Sequence, residues 1–204
     1  ALPVLGVVSA WVGFDAAARA GLVHQAGTVL GGYAAQSLVL AAGVGVGVAA
    51  VGAGAAAAVA LFEFPQRRLF EWALLLPLAM PAYVLAYVYT DFLQFSGPLQ
   101  AALRAASGAE GALWPDVRGL PGAIVLFVLA LYPYVYLLVR TALAERGVHL
   151  MEAARLLGAG FWRRVRSVAL PLARPALVAG VALALMETLA DYGVGVYFGL
   201  TTLS

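Results

Sequence analysis

The feature that most constrains this chain is the recurrence of long stretches with almost no charge. They run over 36–62, 72–90, 119–139 and 171–190, the last carrying Arg174 near its start and Glu187 near its end. A bilayer core about 30 Å thick takes about 20 helical residues, and backbone exposed to lipid has to be helical because no water is there to satisfy it. The opening run, 1–14, is too short alone and reads as the trailing part of a truncated span. With no initiator Met, and an end at Thr201-Thr202-Leu203-Ser204 that carries no basic or polar tail, the chain reads as a piece of a longer one. The expected fold class is all-α, a polytopic transmembrane helical bundle forming one partial domain over 1–204.

Composition points the same way. Hydrophobic residues make up 64% and charged residues 11%, against roughly 25% charged in soluble domains. The twelve basic residues are all arginine, and a net charge of +2 is too small to imply a nucleic-acid partner. Without cysteine there is neither a disulfide framework nor a thiolate metal site. His24 and His149 stand apart and make no metal pattern, and no nucleophile, base and orienting partner come together in the spans, so neither a metal site nor a catalytic one is expected.

Arginine also orients the chain, because short cytoplasmic loops accumulate it. Arg67 and Arg68 fall in one loop, and Arg140, Arg146, Arg155, Arg163, Arg164, Arg166 and Arg174 in or beside another. Both loops are therefore expected inside the cell, with 15–35 and 92–118 on the opposite side. The outer segment 92–118 is rich in turn pairs, with one short helix expected over 99–106. In the first long span Gly43 and Gly47 form a small-xxx-small pair, suited to close helix packing or, less simply, to lining a pore.

The loop 141–170 carries the functional signal. Leu150, Ala153, Ala154 and Leu157 follow helical spacing while Glu152 and Arg155 share another face, which predicts a short amphipathic helix ending at Gly158. A second short helix is expected from Ala159 or Gly160, stopping before Pro171. The order Glu152-Ala153-Ala154, Gly158, Val168 and Leu170-Pro171 resembles the EAA loop of ABC importer permeases, with valine where the family commonly has isoleucine. That resemblance implies coupling helices seated in a groove of an ATPase subunit, with Glu152, Ala153, Ala154, Gly158, Leu170 and Pro171 at the dock. Small side chains permit close approach, and glycine permits a tight reversal. Arg163, Arg164 and Arg166 are read as anchors to lipid headgroups.

Residues 76–87 and 186–193, with Tyr197-Phe198-Gly199, resemble the ferric-iron branch of these permeases, whose members commonly fuse two such halves; this chain is similar to the first half. Glu187 and Asp191 lie four apart, on one helical face, and with Tyr192 offer the hard oxygen ligands that trivalent iron prefers. They are the candidate translocation path. Pro77 and Pro81 are the candidate hinge, set against a static kink. Tyrosines 83, 87 and 89, and 132, 134 and 136, suit aromatic belts.

No lysine means no phosphate-binding P-loop, so ATP and magnesium are expected on a partner and no cofactor on this chain. The resemblance implies a permease in the bacterial cell membrane, multi-pass, working with ABC ATPase subunits, an extracytoplasmic substrate-binding protein and a second permease half. Ferric iron is the expected cargo, with thiamine, a polyamine, a phosphonate or an anion as alternatives. An ion-driven carrier fits less well, because the spans before Glu187 hold no mid-membrane carboxylate.

Overall fold

The computed structural model describes residues 16–202, which are helical along most of their length. The expected truncated span over 1–14 lies outside the described residues. Helix α1 (Ala16–Gln25) passes through a π-helical segment, Ala26–Leu30, directly into α2 (Gly31–Leu61). The stretch given to an external loop is therefore helical from Ala16 onward. The apolar rod Val23–Leu61, at 39 residues, is far longer than the roughly 20 a bilayer core requires.

The segment 72–90 is not one straight helix. Helix α3 (Arg67–Ala73) leads into a 3-10 turn (Leu76–Ala79), and the chain restarts as α4 (Ala82–Leu93) and α5 (Pro98–Ser107). The two limbs, Arg67–Ala79 and Ala82–Ser107, meet at 100°. The cause is local: Met80 and Pro81 are extended, with ψ of 134° and 142°. A residue before proline is pushed toward such values, and neither Pro77 nor Pro81 has an N–H with which to continue a helix.

Helix α6 (Leu120–Ala142) runs through a second π segment, Leu143–Gly147, into α7 (Val148–Leu156). After a reversal, α8 (Phe161–Arg164), a third π segment (Val165–Ala169), α9 (Leu170–Ala190) and the short α10 (Tyr192–Tyr197) follow. The expected stop before Pro171 does not occur, since Phe161–Ala190 forms one 30-residue helix. The Leu170 N–H bonds to the Val165 carbonyl, five residues back. A turn widened in this way leaves room for the proline ring that a regular α-turn would clash with.

The core is helix on helix. Helix α2 packs along α6, and α9 lies against both. Ser37, Leu40, Val44, Val48, Gly52, Ala56 and Val59 are buried at steps of three and four, one continuous stripe of α2. A Cβ placed on Gly43 would come within 2.8 Å of Ile124 Cδ1, and one on Gly52 within 2.7 Å of the Tyr132 carbonyl oxygen. From the other side, a Cβ on Gly180 would sit 2.7 Å from Val135 Cα. Lipid gives no hydrophobic drive for helix association, so close backbone approach at small residues supplies van der Waals contact instead. Gly43, Gly47 and Gly52 thus serve packing, whereas a Cβ on Gly31, Gly32 or Gly54 would meet nothing within 4 Å.

Contacts sort the loops into two ends. At one, the Phe62 ring lies 5.8 Å from that of Phe161, and Glu71 meets Arg140. At the other, the Thr201 N–H donates to Gln36 Oε1 at 2.9 Å, and the Tyr197 ring packs at a tilt of 53° against that of Tyr87, centroids 4.3 Å apart, with the Arg118 guanidinium 5.6 Å from the Tyr197 ring. A buried amide pins this second end. Gln100, 1% exposed, donates to the Leu93 carbonyl at 3.1 Å and accepts from the Leu113 N–H at 3.2 Å, while Trp114 Nε1 donates to the same carbonyl at 2.8 Å.

Candidate functional site

Two features combine at the site: a bent, arginine-rich loop at one end, and a cleft at the break between α3 and α4. The loop is built by backbone geometry. Gly158 has φ +79°, the Gly158 N–H bonds back to the Arg155 carbonyl, and the Ala159 N–H reaches the Ala154 carbonyl. This pair of bonds with a left-handed glycine is a Schellman ending, which closes a helix and reverses the chain. Across the bend, Arg164 Nη1 donates to the Met151 carbonyl at 3.5 Å, tying α8 to α7.

The face of α7 that turns inward differs from the expected apolar stripe. Met151 is buried at 7% exposure, whereas Leu150 is half exposed and Leu156 and Leu157 stand 89% and 88% exposed beside the reversal. Glu152 and Ala153 are also exposed, and Ala154 is half-buried. The α7 side of the loop therefore offers solvent three leucines (Leu150, Leu156 and Leu157), Ala153, the Glu152 carboxylate and Arg155. Leu170 and Pro171 are exposed as well, but on the returning helix rather than on the bend.

The cleft has a volume of about 420 Å³ and brings together residues far apart in sequence. Pro77 and Pro81 line it from the broken span, Glu187 and Asp191 from the end of α9, and Tyr83 and Tyr134 from α4 and α6. The candidate hinge and two members of the candidate path thus share one space. Tyr192, the third member, is 67% exposed and does not line it. Asp191 has a structural duty too, since its Oδ1 accepts from the Val194 N–H at 2.9 Å and caps α10.

Glu71 was missed by the sequence reading. Its Oε2 lies 2.9 Å from Arg140 Nη2, and its Oε1 lies 3.3 Å from Arg67 Nε, near enough to attract but not aimed as a hydrogen bond. The spacing of Arg67 and Glu71, four residues apart, was the available signal. Nothing local could have pointed to Arg140.

Apolar helices of spanning length packed on one another, joined at one end by a bent arginine-bearing loop, define a multi-pass membrane protein. The chain belongs to the binding-protein-dependent transport system inner membrane component family, whose model matches residues 49–204. It is 31% identical over 136 residues to the molybdenum transport system permease protein ModB of Escherichia coli K12, covering 66% of this chain and 57% of the relative. It is 31% identical over 138 residues to the sulfate transport system permease protein CysW of the same strain, covering 65% and 43%. It is also 32% identical over 142 residues to a probable sulfate transport system permease protein cysT of Chlorokybus atmophyticus, covering 65% and 44%. The chain spans about half the length of the curated relatives it matches. The resemblance to importer permeases holds at the level of the family, whereas the ferric-iron branch finds no support in these relatives, whose names are those of molybdenum and sulfate permeases.

Proposed function

We propose that this chain is the membrane-spanning subunit of a binding-protein-dependent ABC importer for a small tetrahedral oxyanion of the molybdate or sulfate kind. Loop 141–170 lies inside the cell in this reading and seats an ATPase subunit, which supplies ATP and magnesium. The carrying observation is the tip of α7, where Leu156 and Leu157 are almost wholly exposed next to a left-handed Gly158. Two neighbouring leucines held out by a rigid reversal fit a hydrophobic socket on a partner, and Glu152 on the same helix can accept hydrogen bonds around its rim. An extracytoplasmic binding protein would deliver cargo to the opposite end, and a second permease half would complete the path.

In this mechanism the ATPases bind the loop differently in their open and closed states, and that difference in affinity drives the spans between inward-facing and outward-facing arrangements. The cleft at Pro77 and Pro81 is the place where such a change is easiest, because the broken span has no continuous hydrogen-bond ladder to disrupt there. Glu187 and Asp191 repel an oxyanion. The cleft in this reading is therefore the break at which the span bends and not the anion's own path, since a conduit must also admit what it passes.

Ferric iron remains a second reading on one observation. Glu187 and Asp191 face the cleft with the phenols of Tyr83 and Tyr134 nearby, a set of hard oxygen donors suited to a trivalent cation. Reconstituting the full-length protein with its ATPase and candidate binding proteins separates the two, by which cargo stimulates ATP hydrolysis. Stimulation by molybdate or sulfate is expected. Stimulation by ferric iron alone replaces the cargo and keeps the class; an ATPase that neither co-purifies nor responds to any cargo removes the importer reading.

A further inference from the structure

Glu71 joins the two parts of the site. Both ion pairs found among the described residues use it, one to Arg67 on its own helix and one to Arg140, 69 residues on. The contact extends to the backbone, because the phenol of the fully buried Tyr136 donates to the Glu71 carbonyl at 3.3 Å. Tyr136 and Arg140 are one helical turn apart on α6, so α3 is held at two successive levels of the same face. Its entry is also constrained: Gln66, just before α3, has φ +67°, and it is the sole non-glycine residue with positive φ among the described residues.

Position gives this tie its meaning. Glu71 precedes the first cleft proline, Pro77, by six residues, through the end of α3 at Ala73 and into the 3-10 turn Leu76–Ala79. Arg140 precedes α7 by eight residues, and the helix is unbroken between them through the π segment Leu143–Gly147. A displacement of α7 along its stem therefore reaches Arg140 before any loop can absorb it, and Arg140 holds the limb that ends at the break. Among the described residues no other ion pair links the loop's stem to the broken span.

We propose that Glu71 is a positioning residue of the transport cycle, the tie through which movement of the docked loop 141–170 is passed to the break at Pro77 and Pro81. This rests on the importer reading above. Coupling between sites of ordinary strength corresponds to roughly 5- to 150-fold changes, and needs a physical connection that both sites bias.

The test uses the full-length protein reconstituted with its ATPase and binding protein in proteoliposomes, comparing Glu71→Gln, Arg140→Gln, the two combined, and Glu71→Asp. Each single neutral variant is expected to co-purify with the ATPase and to hydrolyse ATP, while cargo imported per ATP falls on the order of tenfold. The combined variant should lose no more than either single one, and Glu71→Asp should keep most of the coupling. An unchanged ratio in both single variants overturns the proposal, as does a parallel loss of hydrolysis and import that adds up in the combined variant. If the unaltered complex fails to engage an ATPase at all, the importer reading falls separately. The tie is then read from the distance distribution between spin labels at Leu78 and Leu157, expected to broaden in Glu71→Gln and in Arg140→Gln. The same distribution in all three proteins overturns it.

Discussion

The bundle of α2, α6 and α9 and the pair formed by the broken span and the bent loop are built from similar apolar residues, yet they differ in what a neighbour would meet. In the bundle, Val44, Val48, Val135 and Tyr136 have no exposed surface, and glycines bring backbones into contact. The outer faces of the bundle are also open, with Leu38, Val46, Val178 and Met186 about 70% exposed, but on straight helices of spanning length; in the other region Leu76, Leu156, Leu157 and Trp162 are about two thirds exposed or more, beside turns. The first region has one arrangement open to it, because a close-packed interior resists partial displacement. The second is joined by turns, an extended proline step and a left-handed glycine, and its apolar surface awaits a cover. A transporter that switches between states needs both kinds of region, and here they alternate along the chain.

The sharpest way to break this contrast is to overfill the bundle. Gly52→Leu places a side chain where even a Cβ is 2.7 Å from the Tyr132 carbonyl oxygen, at a cost of typically about 1–3 kcal/mol, occasionally more. Loss of monodisperse protein in detergent is expected, and a normal thermal melt would show that α2 and α6 are not held as described. Next in size, Gly158→Val forces a branched residue to φ +79°, about 1–3 kcal/mol of local strain. Because that strain sits in the exposed loop, the melt should be unchanged while ATPase co-purification and uptake are lost; Glu152→Lys is expected to follow the same pattern more weakly. Full uptake in both variants would remove the loop from the mechanism. Smallest is Pro77→Ala with Pro81→Ala, each costing about 0.4–1 kcal/mol of stability through a freer unfolded chain while letting the break straighten. A few-fold change in uptake with a slightly lowered melt is expected, whereas a large drop in melting temperature would place the break within the rigid region.

How much of this could be read beforehand follows from the range of the interactions. The reversal at Gly158 was legible because a Schellman ending is set by a handful of adjacent residues. Gly43 and Gly47 were legible as packing residues, though not the helix they meet. Pro171 misled for a related reason: its power to stop a helix depends on the turn before it, and the widened turn at 165–169 has no distinctive composition. The pairing of Glu71 with Arg140 was illegible, since side chains 69 residues apart are brought together only by the packing of α3 on α6. The cleft was half legible. Its prolines and carboxylates stood out singly as candidates, but their common space depends on the 100° bend.

The π segments at Leu143–Gly147 and Val165–Ala169 enclose the loop on both sides. Each holds, in effect, one residue more than a regular turn would use. Deleting a single residue from either would leave an ordinary turn facing as before, whereas one removed from the regular helix beside it would rotate everything beyond by about 100°. Leu156 and Leu157 would then point elsewhere on an otherwise intact protein, so under the proposed function a one-codon change in this stretch would alter how the loop fits its ATPase.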